Sequence, residues 1–233
     1  MRTALRTLGA VIVAGLPWPV KRLVYVHLYR WDVDPSAYVG CSIVRCEMVI
    51  LRSRSRIGHL NVIRNCELLE LDADAEIGFL NWVNGWPLSR TALYLEEVNR
   101  SPAFHMGQHS SITMMHMIDC TDEVRIGPFS TLAGCQSTIF THSVDLERSR
   151  QSCAPIQLGA FTFVGTNCTL LPGASLPDHA VLGAKSLLRS ALEDSYTLYG
   201  GVPAMRIKSL SPETAYFTRR TGAIVVDPAG ISR

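Results

Sequence analysis

Aliphatic residues recur every six positions along much of this chain. Between Leu158 and Leu188 every sixth residue is aliphatic, and a small residue stands four positions after each of the first five. An amphipathic helix would repeat every three or four residues, and a half-buried strand every two. A six-residue period is typical of a parallel β-helix, in which each repeat makes one short strand and one corner. The aliphatic positions are Leu158, Val164, Leu170, Leu176, Leu182 and Leu188, and the small ones are Thr162, Cys168, Ala174, Ala180 and Ser186.

The same period runs less regularly through the preceding part of the chain. It begins at Val33 and restarts after two-residue slips at Ile77 and Ile126. Two polar stretches interrupt it, and insertions in a solenoid emerge on one face, often the binding face. The predicted organisation is therefore an N-terminal segment at 1–32, a β-helix at 33–190 with insertions at 84–105 and 141–154, and a C-terminal cap and tail at 191–233.

The N-terminal segment has a different pattern. Two arginines precede the apolar run 8–16, which is about half as long as a stretch that crosses a bilayer. Basic residues then alternate with apolar ones in 21–30. The amphipathic pattern favours a helical cap on the first coil. Two other interpretations stay open: a helix lying on a membrane surface, and a cleaved signal peptide, although no clear small-residue cleavage site is present.

Charge and cysteine content exclude some classes of function. The chain has 22 Lys and Arg against 20 Asp and Glu, a net charge of +2, and no basic block, so nucleic-acid binding is not indicated. Its seven cysteines form no Cys-x-x-Cys pair. An odd number of cysteines argues against a disulfide framework and favours small buried residues in a reducing compartment. We therefore expect a cytoplasmic protein.

The first candidate for chemistry is His142, at the point where regular repeats give way to a polar stretch. A histidine titrates near neutrality and can take a proton from a hydroxyl or an amine. Asp145 lies three residues further on and is a candidate for holding the ring in one tautomer. A surface histidine with no catalytic role is the other interpretation of these residues alone.

Three motifs carry a family resemblance. The Thr141-His142 step is followed by Asp145 and a loop, the segment 164–174 reads VGTNCTLLPGA, and the segment 199–208 reads YGGVPAMRIK. With these motifs the chain resembles the hexapeptide-repeat acyltransferases, and among them the acetyltransferases of polysaccharide and other glycan biosynthesis. The resemblance implies a left-handed parallel β-helix, a homotrimer, and transfer of an acetyl group from acetyl-CoA, with no metal.

The resemblance also implies roles for individual residues. His142 matches the catalytic base. Met205 stands where a basic residue is usual, which puts one phosphate contact in doubt, and the neighbouring Arg206 is the candidate to replace it. The positions that match coenzyme A contacts are Thr166 and Ala184 along the pantetheine arm, Arg189 and Ser190 near the nucleotide, and Pro203, Ala204, Arg206 and Lys208 in the final motif.

His116 is the one large polar residue at a repeat position that is otherwise small. An unpaired imidazole is costly to bury, so the ring is either a hydrogen-bonded core residue or a second catalytic group facing the acceptor. We favour the catalytic role, because relatives carry an acceptor-side Asn in this segment. His105 and His109 have a spacing that can bind metal on a helix, but the resemblance argues for a polar loop near the acceptor. Trp82 and Trp86 suit either sugar stacking or a capped core.

The sequence thus predicts an O-acetyltransferase acting on a sugar or glycan intermediate, at the inner face of the membrane if the N-terminal segment touches lipid. Direct attack on acetyl-CoA in a ternary complex is expected, because no cysteine adjoins His142 in sequence. Two alternatives stay open: N-acetylation of an amino sugar, and a β-helix scaffold without activity.

Overall fold

The computed structural model describes residues 2–89, 93–222 and 224. Within them, parallel strands stack into three sheets, here called A, B and C, which the chain visits in that order in each coil. Sheet A contains Asp32–Val33 (β1), Met48–Leu51 (β4), Leu68–Leu71 (β7), Ala103–Met106 (β10), Val124–Ile126 (β13), Ile156–Leu158 (β18) and Ser175–Leu176 (β21). Sheet B contains Tyr38–Val39 (β2), Arg56–Ile57 (β5), Glu76–Phe79 (β8), Ser111–Met114 (β11), Thr131–Cys135 (β14), Phe163–Val164 (β19), Val181–Leu182 (β22), Thr197–Gly200 (β24) and Met205–Ser209 (β25). Sheet C contains Ile43–Arg45 (β3), Val62–Arg64 (β6), Trp82–Gly85 (β9), Met117–Cys120 (β12), Thr138–Ile139 (β15), Thr169–Leu170 (β20) and Leu187–Leu188 (β23).

The predicted fold class, a left-handed parallel β-helix, is confirmed. The aliphatic residues of the six-residue period fill the interior, and Leu158 and Leu188, at the two ends of the series, are 2% and 1% exposed. Burying one such side chain contributes about 1.5–3 kcal/mol. The core is therefore a set of aliphatic columns that run along the stack.

A ladder of polar side chains holds successive coils together at the corner between sheets B and C. The backbone N–H of Asn61 donates to Ser42 Oγ at 2.9 Å, that of Asn81 to Asn61 Oδ1 at 2.9 Å, and that of His116 to Asn81 Oδ1 at 2.9 Å. The backbone N–H of Ser137 then donates to His116 Nδ1 at 3.1 Å. Each side chain thus satisfies a buried backbone donor of the next coil, as buried polar groups require.

Both insertions emerge from the same edge, where the chain passes from sheet C to sheet A. The first joins β9 to β10, so regular coil structure resumes at Ala103, and its residues 90–92 lie outside the described residues. The second joins β15 to β18 and contains an antiparallel hairpin, His142–Asp145 (β16) and Arg150–Cys153 (β17). The short corner 121–123 lies between them. This edge therefore carries the most irregular surface of the described β-helix.

Helices close the first coil. They are Arg2–Ala14 (α1), Trp18–Leu23 (α2) and a π-helical turn at Val24–Leu28. Lys21 is 2% exposed, and its ammonium donates to the carbonyls of Gly40 at 2.6 Å and Ala14 at 3.0 Å. These bonds satisfy carbonyl groups that have no coil beneath them. Among the described residues, no helix combines the length and apolar character needed to cross a bilayer.

The C-terminal segment covers the opposite end and then returns along the stack. The strands β24 and β25 form a hairpin, and the short helix Ala215–Thr218 (α3) follows. Phe217 of α3 lies edge-on against His179 and Tyr196, with ring centroids 5.6 Å away in each case. Position 223 and positions 225–233 of the predicted C-terminal cap and tail lie outside the described residues.

Candidate active site

A histidine–carboxylate pair lies on the edge that carries the two insertions. His142 is the first residue of β16, and its Nδ1 lies 2.8 Å from Oδ2 of Asp119, which is on β12 in the preceding coil. The His142 side chain is 37% exposed and that of Asp119 only 9%. The imidazole is therefore accessible to a ligand, while the carboxylate behind it is shielded.

Two threonines fix the carboxylate. Thr141 donates to Asp119 Oδ2 through Oγ1 at 2.7 Å and through its backbone N–H at 3.1 Å. Thr121 Oγ1 donates to Oδ1 at 2.8 Å. Both carboxylate oxygens are thus held before any ligand arrives, and supporting contacts of this kind fix the orientation of a catalytic group.

The electrostatics of the pair suit a general base. The hydrogen bond to Asp119 raises the pKa of His142, although burial opposes this shift. Burial alone would raise the pKa of Asp119, but the hydrogen bonds from His142 and Thr141 outweigh it and lower that pKa. Because Nδ1 lies 2.8 Å from the carboxylate, the proton is favoured on Nδ1 and Nε2 is left with a free lone pair. The arrangement can accept a proton at Nε2 and stabilise the resulting imidazolium.

Asp145 does not make the predicted contact with His142. Its Oδ1 accepts from the backbone N–H groups of Glu147 and Arg148, at 3.1 Å each, and it lies at the far end of the hairpin, opposite Arg150. The carboxylate instead caps the hairpin turn. The structure therefore transfers the orienting role from Asp145 to Asp119.

His116 is sealed inside the coil, and this corrects the predicted catalytic role. The residue is 1% exposed, its Nδ1 accepts from Ser137 N–H, and its Nε2 lies 3.1 Å from Thr113 Oγ1. Burial lowers its pKa to about 4. A neutral ring with both nitrogens engaged belongs to the corner ladder and does not face a substrate.

The hairpin brings a cysteine next to His142. The sequence alone does not indicate this contact, because the two residues are not neighbours along the chain. Cys153 is the cross-strand partner of His142 in β16–β17, and directly opposite side chains share one face of such a pair. Burial, followed by the carboxylates of Asp122 and Glu97, raises the pKa of Cys153 to about 12. The thiolate is the nucleophilic form, so this cysteine is poorly suited to forming an acyl-enzyme.

The two insertions contact each other at the far end of the hairpin from His142. Arg150 of the hairpin forms an ion pair with Glu96 of the first insertion. Arg100 donates to the carbonyl of Thr121 at 3.3 Å and is 7% exposed. A cleft of about 320 Å³ lies between the first insertion and the corner 121–123, and its lining includes Asp122 and Pro155. The insertions therefore form one continuous irregular surface on the edge that carries His142.

Two predicted coenzyme A residues, Thr166 and Ala184, lie on the corner between sheets B and C. These corners pack so closely that a Cβ on Gly165 would lie 2.7 Å from Ala184 N. Thr166 Oγ1 donates to the carbonyl of Cys135 at 2.9 Å, so this hydroxyl already links two coils. Ala184 is exposed. The backbone at this corner is therefore accessible to a ligand at Ala184.

The other predicted coenzyme A residues lie at the C-terminal end of the stack. Arg189 and Ser190 directly follow β23 and are exposed. Ala204 is 8% exposed, and its N–H donates to Leu187 O at 2.8 Å, which docks the hairpin β24–β25 on the last coil. The exposed members of that segment are Pro203, Arg206 and Lys208.

A single chain does not bring the base to the B–C corner. His142 follows the end of a strand of sheet C, whereas Thr166 and Ala184 precede strands of that sheet. With four to five residues between the two edges, each rising about 3.3 Å, the separation is roughly 15 Å. The two residue sets therefore lie on opposite edges of one sheet.

The remaining candidates have structural partners. His105 lies between two carboxylates, with Nδ1 3.1 Å from Glu70 and Nε2 3.2 Å from Glu123. His109 packs against the ring of Phe129, with centroids 4.8 Å apart. In the described part of the chain, no group of three or more His, Cys, Asp or Glu residues has an arrangement that could hold a metal ion.

The two tryptophans differ in their surroundings. Trp86 packs edge-on against Tyr94, whereas Trp82 is 43% exposed on sheet C. The exposed ring is the one that a ligand can reach.

Comparisons with known proteins give one similar sequence and several similar structures. No family model matches the chain. A protein from Bacillus subtilis (strain 168) named "Putative acetyltransferase YvoF" is 28% identical over 151 residues, which cover 64% of this chain and 77% of that protein. Its name agrees with the resemblance carried by the sequence motifs.

The similar structures have low sequence identity. The polySia-specific acetyltransferase NeuO is 15% identical with a TM-score of 0.43, and 77% of this chain and 85% of NeuO are covered. The polysialic acid O-acetyltransferase OatWY is 14% identical with a TM-score of 0.43, covering 77% and 84%. AntD, an N-acyltransferase from Bacillus cereus in complex with dTDP and 3-hydroxybutyryl-CoA, is 12% identical with a TM-score of 0.45, covering 78% and 81%.

Proposed function

We propose that this chain is a hexapeptide-repeat acetyltransferase that transfers an acetyl group from acetyl-CoA to a hydroxyl group of a sugar or glycan intermediate. The observation that carries the proposal is the pair formed by exposed His142 and shielded Asp119, 2.8 Å apart. A carboxylate behind a histidine holds the ring in one tautomer and stabilises its protonated form. The similarity to YvoF and the Pro203-Ala204 motif support the choice of acetyl transfer.

In the proposed reaction, His142 Nε2 removes the proton of the acceptor hydroxyl while the oxygen attacks the thioester carbonyl. The carbon–sulfur bond then breaks, and the coenzyme A thiolate takes the proton from the imidazolium. Asp119 stabilises that imidazolium through Nδ1. Transfer is direct, because the raised pKa of Cys153 disfavours a covalent acyl-enzyme.

The proposed donor site uses the C-terminal coils. Coenzyme A would lie along Thr166 and Ala184, with its phosphates near Arg206 and Lys208. Since these residues and His142 lie on opposite edges of sheet C, we propose that one subunit supplies the base and its neighbour the cofactor corner. A threefold ring closes such a head-to-tail contact, so the proposed assembly is a homotrimer.

A thiol-release assay with acetyl-CoA tests the proposed activity against a scaffold role. Acceptor-dependent release of coenzyme A is expected. A purified protein that binds no acetyl-CoA and releases no thiol with any sugar acceptor would contradict the proposal. Treating the product with hydroxylamine separates the two acetylation chemistries, because an ester is cleaved and an amide is retained. Comparing glycans from cells with and without the gene by mass identifies the acceptor.

A further inference from the structure

A polar strip runs along the outer surface of sheet C toward the base. Arg45, Arg64, Asn84 and Asp119 are in register on four adjacent strands, β3, β6, β9 and β12. Each strand step is about 4.8 Å. The carboxylate that orients His142 is therefore the last member of a row of polar side chains that starts near the N-terminal end of the stack.

Hydrogen bonds order this strip in the absence of a ligand. Asn84 Oδ1 accepts from Arg64 Nε at 2.9 Å and from Asn65 Nδ2 at 3.0 Å. Asn65 Oδ1 in turn accepts from Arg45. The side chains are thus held in one arrangement, which lowers the entropy cost of binding.

Arg64 also lies over the indole ring of Trp82, with its guanidinium carbon 4.9 Å from the ring centroid. Among the described residues, its guanidinium donates hydrogen bonds only through Nε, so both terminal amino groups are available to a ligand. Arg64 is half-buried, and Trp82 is 43% exposed. A fixed guanidinium fork suits a carboxylate or a phosphate, and the exposed ring suits the apolar face of a sugar.

The proposed donor site fixes the direction from which an acceptor approaches. Coenzyme A would occupy coils on the C-terminal side of His142, which leaves the strip on the N-terminal side for the acceptor. Beyond Arg64, a cleft of about 1050 Å³ is lined by Arg45 together with Glu47 and Glu67. These carboxylates would repel an anion near Arg45, so Arg64 is the favoured position for the anionic group.

We propose that Arg64, Trp82 and Asn84 form the acceptor subsite and that it selects a saccharide bearing a carboxylate or a phosphate. Three strand steps separate Arg64 on β6 from the coil that carries His142, so the anionic group would lie about 14 Å from the reacting hydroxyl. The inference rests on the proposed function for its direction of approach, but the binding it predicts can be measured without catalysis.

Titration calorimetry with three saccharides tests the subsite. The probes are trigalacturonic acid, glucose 6-phosphate and neutral maltotriose, each at millimolar concentration. At least one acidic probe should bind more tightly than maltotriose, and added salt should weaken that binding. Losing a hydrogen bond to a charged group should raise the Kd about tenfold in Arg64→Gln. Arg56→Gln is the matched control, because Arg56 also lies over an aromatic ring, 5.2 Å from the centroid of Tyr38, on sheet B.

Three results would overturn the subsite: neither acidic probe binds, maltotriose binds as tightly, or Arg64→Gln and Arg56→Gln have the same affinity. If Arg64→Gln fails to fold, Arg64→Lys keeps the charge but loses the fork and should still weaken binding. Acetyl-CoA binding is titrated separately. A protein that binds the acidic saccharide but not acetyl-CoA would contradict the proposed function and still support the saccharide subsite.

Discussion

At the scale of the residue, the proposed base depends on a carboxylate that belongs to a different coil. Asp119 is 7% exposed and is held by the hydroxyls of Thr121 and Thr141 and by the backbone N–H of Thr141, so its carboxylate is fixed beside His142. His116 is likewise held by hydrogen bonds to neighbouring coils, as one member of the ladder of polar side chains at the corner between sheets B and C. Two histidines that look alike as candidates in sequence thus differ in exposure, in partners and in the direction of their pKa shifts.

Asp119→Asn should change the pH dependence of the reaction. His142 must lose its proton to act as a base, so kcat/KM should rise with pH through the pKa of His142, which Asp119 raises. Removing the negative charge should move that rise to lower pH, and the maximum rate should fall because the ring is less firmly oriented. The measurement is the pH–rate profile of both proteins. A profile whose acidic limb does not move would show that Asp119 does not act on His142.

His116→Ala should destabilise the fold and leave chemistry intact. The change leaves the buried N–H of Ser137 without its acceptor, which costs about 1–3 kcal/mol. In a protein of this size the corresponding loss in Tm is about 2–4 °C per kcal/mol. His116→Asn should restore much of the loss, since Asn61 and Asn81 perform the same role in earlier coils. A stable His116→Asn protein with a large loss of kcat would contradict the structural assignment.

The same residue should affect stability in acid. Because burial lowers the pKa of His116 from 6.5 to about 4, the unfolded chain binds a proton in this window that the folded chain does not. Stability therefore falls as pH falls from about 6.5 to about 4. His116→Asn lacks this contribution, so its Tm should improve relative to the original protein across that range. A constant Tm difference would argue against a buried neutral imidazole.

At the scale of the element, the sequence predicted the repeat and missed the contacts between repeats. The period from Leu158 to Leu188 predicts strands because each aliphatic residue must be buried. Proximity in sequence favours Asp145 as the partner of His142, whereas Asp119 is near His142 only through the stacking of coils. Aligning Ile118 with Ile139, which are partners in β12 and β15, places Asp119 in the neighbouring coil at the level of Phe140, two residues before His142. The hairpin that pairs His142 with Cys153 has no comparable periodic signal.

The hairpin β24–β25 should contribute to donor binding. Arg206 and Lys208 are exposed on β25, and coenzyme A phosphates need fixed cationic donors. Replacing both with Gln should raise the acetyl-CoA Kd severalfold and leave the acceptor KM nearly unchanged. Exposed Arg52, which directly follows β4, and exposed Arg125 of β13 provide a control pair that removes the same charge from a site away from β25. Equal effects from the two pairs would point to a general charge effect.

At the scale of the whole molecule, the positions of His142 and of the proposed coenzyme A residues on opposite edges of sheet C favour a homo-oligomer. His142 and the proposed coenzyme A corner are separated by the width of sheet C, and no bend of a rigid β-helix would close that gap. Light scattering should therefore give three times the chain mass of 25.7 kDa. Mixed trimers of His142→Ala with the Arg206/Lys208 double variant should recover part of the activity, because some interfaces then carry neither change. A monomer mass, or no recovery on mixing, would contradict a shared site.

The central claim is that His142 is the general base, and single-turnover kinetics of His142→Ala test it most directly. General base catalysis is worth about two to four orders of magnitude, so the rate of acetyl transfer should fall by that factor while acetyl-CoA Kd and Tm barely change. His27→Ala, which alters an exposed histidine at the other end of the chain, should retain full activity. A His142→Ala protein that transfers acetyl groups at nearly the original rate would contradict the account.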